Sequence, residues 1–128
     1  MTYHASPTKM NVLFPRTKAW TNAVTALTEA ERINGMHGYQ ALGPNEGMLF
    51  AFPQQPSPIS MTMAKMLIPL DIIFIGGDGL VKHIAHRLHA GRPTPALGPA
   101  VPWVLEVPSG FARRHRIVCG DLVIIKAS

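Results

Sequence analysis

Ile72-Ile73-Phe74-Ile75-Gly76-Gly77-Asp78-Gly79-Leu80-Val81-Lys82-His83-Ile84 decides the fold class. Two apolar, largely β-branched runs flank a four-residue segment that contains three glycines. Glycine accepts the positive φ that a tight turn demands, so the segment reads as a β-hairpin. Working outward, Trp103 to Val107 reads as another strand, Ser109 to Ile117 as a helical turn capped by Ser109, and Leu122 to Ile125 as the last strand. On the N-terminal side, Ile59 to Met63 alternates polar and apolar, which puts Ile59, Met61 and Met63 on one face. Met48 to Phe52 is a continuous apolar strand ended by Pro53, and Lys18 to Leu27 has the β-branched and aromatic content of one more. The expected fold is mostly β: a single small β-sandwich or partly open barrel of about seven short strands with one or two short helices.

The first helix has a clear start. Thr28 is followed three residues later by Glu31, the spacing of a capping box, in which each side chain satisfies an orphan amide of the other's residue. Gly35 supplies the positive-φ stop. Residues 1–16 carry Pro7 and Pro15 and show no sustained period, so they read as an extended arm ahead of a β-rich domain spanning 17–128. That arm carries Tyr3, Val12, Leu13 and Phe14, apolar side chains that would profit from a docking partner, and Lys9 and Arg16, which would meet an acidic neighbour.

Composition narrows the class. The chain has 128 residues, 47% hydrophobic and 15% charged, which suits one globular domain rather than a disordered segment. No apolar run approaches the roughly 20 residues a membrane helix needs, and the start lacks the apolar stretch of a signal peptide. A cytoplasmic protein, or one inside a particle assembled in the cell, is expected. Cys119 stands alone, so no internal disulfide forms, and with Val118 before it the thiol reads as buried and inert. The net charge of +5 is uneven, with Arg113, Arg114 and Arg116 crowded around His115. A solvated face is the plain reading of these arginines; a nucleic acid or other polyanion is the alternative partner. No aromatic residues interleave them, which argues against a platform for stacking single strands.

Several phrases together resemble a bacterial and archaeal family known as domain of unknown function 192. They are Thr28-x-x-Glu31-Arg32-x-x-Gly35-Met36, Glu46-Gly47-Met48-Leu49-Phe50-Ala51-Phe52-Pro53, Leu67-Ile68-Pro69-Leu70-Asp71-Ile72-Ile73-Phe74-Ile75, and Val104-Leu105-Glu106-Val107-Pro108-Ser109-Gly110 followed by Gly120-Asp121-Leu122-Val123. The resemblance implies a compact β-sandwich or barrel with a short helix, and it implies no reaction. The family usually carries Trp-Met-Lys-Asn-Thr ahead of the Leu-Ile-Pro-Leu-Asp run. Here Ala64 stands at the lysine position and Lys65 at the asparagine position, which would cost a pocket beside Asp71 part of its polar lining.

No motif names a reaction. His83, His86 and His89 are spaced by three, but a strand sends the first two to opposite sides, so no metal and no cofactor are expected. Ser109 lacks the Gly-x-Ser-x-Gly context of a nucleophile, and Gly76-Gly77-Asp78-Gly79 lacks the spacing of a phosphate loop. Asp71 sits between apolar tetrads and needs partners if buried; Arg32 is the expected one, with backbone amides the alternative. Two functions compete. The favoured one is a structural or interaction module that is no enzyme and binds itself or a large assembly, such as a virion shell or its decoration. The other is a ligand-binding or enzymatic β domain with a cleft near Arg32, Asp71 and Glu106.

Overall fold

The computed structural model describes residues 8–53 and 58–128. Its elements are β1 (Lys9–Phe14), β2 (Ala19–Ala26), α1 (Glu29–Asn34), β3 (Glu46–Ala51), β4 (Ile59–Met61), β5 (Leu70–Ile75), β6 (Val81–Leu88), β7 (Ala96–Gly98), β8 (Trp103–Pro108), α2 (Phe111–Arg114) and β9 (Ile124–Ala127). The fold is mostly β. Seven strands form one mixed sheet in the order β6-β5-β8-β3-β2-β1-β9, and β4 pairs with β7 in a small second sheet.

Within the large sheet β2 and β3 run parallel, and the other neighbours are antiparallel. A parallel pair needs a crossover, and the connection from Leu27 to Asn45, which contains α1, provides it. The sheet curls until its edges approach. Residues 79–81, ahead of and opening β6, exchange backbone hydrogen bonds with residues 120–123, which lead into β9. β6 and β9 themselves do not pair, so the barrel stays open.

Both faces of the central strands are buried, which explains their unbroken apolar runs. Leu49, Ile73, Ile75, Leu105 and Val107 point to one side, where they meet Phe14 and Phe111. Phe50, Ile72, Phe74 and Val104 point to the other, against Met36, Met61, Met63 and Met66 beneath the small sheet. Alternation along the central strands thus divides their buried residues between two cores.

The structure corrects the expected arm over its described part. Residues 9–14 are β1, an inner strand bonded to β2 on one side and β9 on the other. Val12 and Phe14 are fully buried in the chain's own core, and Lys9 and Leu13 lie in the same strand. Arg16 meets its acidic neighbour at home: Nε and Nη2 donate to the two Asp121 carboxylate oxygens at 2.6 and 2.9 Å. Tyr3 lies outside the described residues. Among the described residues there are nine strands rather than about seven, because β1 and β7 add to the expected set. The last strand begins two residues later than expected, at Ile124. Cys119 is exposed, not buried. Among the described residues Ser109 makes no capping hydrogen bond; Gly110 is the N-cap of α2, and it has no side chain to offer.

Candidate functional site

A cleft of about 460 Å³ opens between α1 and the segment that runs from β4 to Met66. That volume is within the range of small-molecule sites, roughly 300–1,000 Å³. Local chemistry builds the α1 wall. The capping box forms as the spacing predicts: the Glu31 amide donates to Thr28 Oγ1 at 3.1 Å, and the Thr28 amide donates to Glu31 Oε1 at 3.0 Å. The amides of Thr28 and Leu27, which both donate to Glu31 Oε1, hold the Glu31 carboxyl below the usual carboxylate range. Gly35 ends the helix at φ +50° and turns the chain so that Met36 is buried.

Arg32 ties this wall to the sheet. Its Nη1 donates to the carbonyls of Leu27 and Ala51, at 2.7 and 2.9 Å, and its guanidinium lies 5.5 Å from the centre of the Phe52 ring. Opposite stand Met61, Thr62, Ala64, Lys65 and Met66, and Phe50 contributes the sheet side. Lys65 and Ile33 are exposed at the lip.

Glu106 lies deepest. It belongs to β8 between Met48 of β3 and Ile72 of β5, on the same face as Val104. Only 3% of it is exposed. Among the described residues no hydrogen-bond partner meets its carboxyl, and desolvation pushes its pKa up to about 8. Glu106 is therefore a neutral carboxylic acid near neutral pH, able to donate a proton in a hydrogen bond or accept one.

The sheet separates the three residues expected to share a cleft. Asp71 pairs with Val107, one position from Glu106, and so faces the opposite core. Its partner is not Arg32. Its Oδ1 accepts from the amides of Arg87 and Gly110, at 2.8 and 3.1 Å, and its Oδ2 from the amide of Ala112 at 2.9 Å. Asp71 thus caps α2 and pins a bulge in β6, where Arg87 sits at φ +51°. Arg32 and Glu106 do line one cleft, and Lys65, Met36, Phe50 and Phe52 join them. The alternation of Phe50 and Phe52 put both on one face, but which loop faced them was not in the local pattern.

The remaining candidates lie elsewhere. Arg113, Arg114 and Arg116 are exposed on α2 and its exit. The His115 ring lies 4.5 Å from that of Phe111, and burial, with Arg114 beside it, lowers the imidazole's pKa. Among the described residues no three His, Cys, Asp or Glu side chains converge as metal ligands, and His83 instead stacks near the Phe74 ring at 5.5 Å.

A family model described as uncharacterised ACR matches residues 12–125. The chain belongs to the domain of unknown function 192 family. No curated protein matches it. Among solved structures it is similar to a Novosphingobium aromaticivorans protein of unknown function, with 30% identity, a TM-score of 0.82, and 97% of this chain and 99% of the other covered. It is also similar to a Sinorhizobium meliloti protein described as a "putative transcription regulator", with 22% identity, a TM-score of 0.83 and 98% of each chain covered. At that identity the second likeness shows the fold alone. Ala64 and Lys65, where this member of the family departs from the expected pattern, both line the cleft beside Glu106; the altered lining is on the opposite side of the sheet from Asp71.

Proposed function

We propose that this chain is a ligand-binding β domain that holds a small organic molecule in the cleft between α1 and the β4–Met66 segment. One observation carries the reading: the Glu106 carboxyl is buried, lacks a protein partner among the described residues and lines an open, mostly apolar cavity. The carboxyl opens onto the cleft and takes no hydrogen bond from the described residues, which leaves it free to bond a molecule that enters. The interaction-module reading rests in part on an N-terminal arm whose residues 9–14 belong to the chain's own sheet, which leaves it the lack of a catalytic motif and the altered pocket lining as support.

Chemical-shift mapping with a mixed set of neutral, anionic and cationic fragments tests the proposal. At least one charge class should perturb amides of Met36, Phe50 and Met66. Ala64→Trp, a change at an exposed lip position, should plug the mouth and abolish the effect. Unperturbed cleft amides across the whole set, or equal binding by Ala64→Trp, would defeat it.

A further inference from the structure

The polar groups around the cleft restrict what can enter it. This step rests on the ligand-binding reading. The floor group is Glu106, flanked on its own sheet by apolar Met48 and Ile72. The groups that face it from the packed elements are Glu29 and Arg32 on α1, His37 on the turn after it, and Lys65 on the opposite lip. Lys65 is exposed and has no ion-pair partner among the described residues, whereas Arg32 spends only Nη1 on backbone carbonyls. The fixed charges at the rim are thus two cations against one acid. Between rim and floor, Met36, Phe50, Met61 and Met66 present apolar walls, and methionine adapts readily to irregular aliphatic shapes.

We infer that the cleft takes an amphipathic organic anion: an acid group at Lys65 and Arg32, an apolar body between the methionine and phenylalanine walls, and a hydrogen-bond acceptor on the Glu106 carboxyl. A cation fits poorly. It would pass two positive charges at the rim and would need Glu106 ionised in an apolar floor, where the charged form is disfavoured. A carbonyl oxygen instead receives the proton that Glu106 already carries. Binding of this class therefore requires the protonated floor acid and weakens as pH rises through its titration, whereas a cationic ligand would bind better as pH rises.

The probes are 8-oxononanoate, nonanoate, 2-nonanone and octylamine, titrated by calorimetry and by chemical shift. At pH 6.5 the keto acid should bind best. Nonanoate, which lacks the deep acceptor, should be weaker by about tenfold, the equivalent of one net hydrogen bond. Above pH 8 the keto acid's affinity should fall by up to about tenfold per unit. Glu106→Gln, whose amide still donates, should bind at pH 6.5 and lose the pH dependence. Lys65→Ala should weaken the keto acid severalfold, reduce its salt dependence, and leave 2-nonanone unchanged. Preferential binding of octylamine, or binding of the keto acid that rises with pH, overturns the ligand class and leaves the cleft as a site. Cleft amides that respond to none of the four probes overturn the ligand class; silence that extends to the wider fragment set overturns the site as well.

Discussion

Asp71 holds the start of α2 from 41 residues away: its Oδ2 accepts the amide hydrogen of Ala112 at 2.9 Å, and its Oδ1 accepts those of Gly110 and Arg87. A helix of four residues leaves its first amides without internal partners, and its Gly110 cap has no side chain. The strand supplies the missing acceptor. One carboxylate thereby joins β5, β6 and α2 inside the curled sheet, where Phe111 and Ala112 are buried.

Asp71→Ala should therefore be costly. It strands the buried Ala112 amide, worth about 1–3 kcal/mol without a partner, and two part-buried amides that water can reach, so a loss of about 2–3 kcal/mol is expected. Urea denaturation measures it, and faster amide exchange at Gly110 and Ala112 would localise it. A midpoint unchanged within error would show that water or a neighbouring carbonyl takes over the role.

Arg16 and Asp121 clamp the two ends of the chain through a two-pronged ion pair, and Arg16 Nη2 also donates to the Arg116 carbonyl at 2.6 Å. The guanidinium holds the Asp121 carboxyl below the usual aspartate range, helped by the Val118 amide. A depressed folded pKa contributes stability above the unfolded value of 3.8 and loses it as pH falls through the lower folded value. Arg16→Ala should thus lower the melting temperature at pH 7, and the gap from the parent should narrow as pH falls below 3.8. A gap of constant size across that range would assign the effect to lost packing of the arginine stem instead.

Gly98 and Phe74 set the spacing between the two sheets. A Cβ on Gly98 would overlap the fully buried Phe74 ring. Gly98→Ala should cost about 1–3 kcal/mol as the ring is forced from its place. The adjacent Leu97, 59% exposed, is the control, and Leu97→Ala should stay within about 0.5 kcal/mol. Equal midpoints for the two variants in thermal denaturation would reject this account.

Local signals in the sequence were legible wherever the structure is local. The Thr28–Glu31 box, the Gly76–Gly79 turn and the apolar runs of β3, β5 and β8 carry their own explanation. Strand β1 was hidden because Pro7 and Pro15 bracket it and Lys9 and Asn11 dilute it, although Met10, Val12 and Phe14 do alternate. Strand β7 has three residues and exists through its pairing with β4. The site was half legible. Parity along a strand assigns faces, but Asp71 and Glu106 lie on different strands, and only their register reveals that they face opposite cores. The partners of Asp71 are backbone amides, which leave no signature in residue type, so Arg32 stood as the obvious candidate and was the wrong one.

Glu106 gives the pH profile its sign. An acid whose folded pKa is about 8, against an ordinary value of 4.5, binds its proton more tightly in the folded state than in the unfolded chain. Stability from this group is therefore greatest at low pH and declines between about pH 4.5 and 8, by as much as about 1.4 kcal/mol per unit. This is opposite in direction to the contributions of Asp121, Glu31 and Asp78, whose depressed values act at acid pH. Comparison with Glu106→Gln separates them, because the variant keeps those three and removes only the buried acid. Glu106→Gln should match the parent near pH 4.5 and exceed its stability at pH 8, on the order of 1–3 kcal/mol once partial hydration of the cleft is allowed for. Guanidinium denaturation across that range provides the measurement. Parallel curves for parent and variant would mean that Glu106 ionises normally, and both the neutral floor acid and the ligand class inferred from it would fall together.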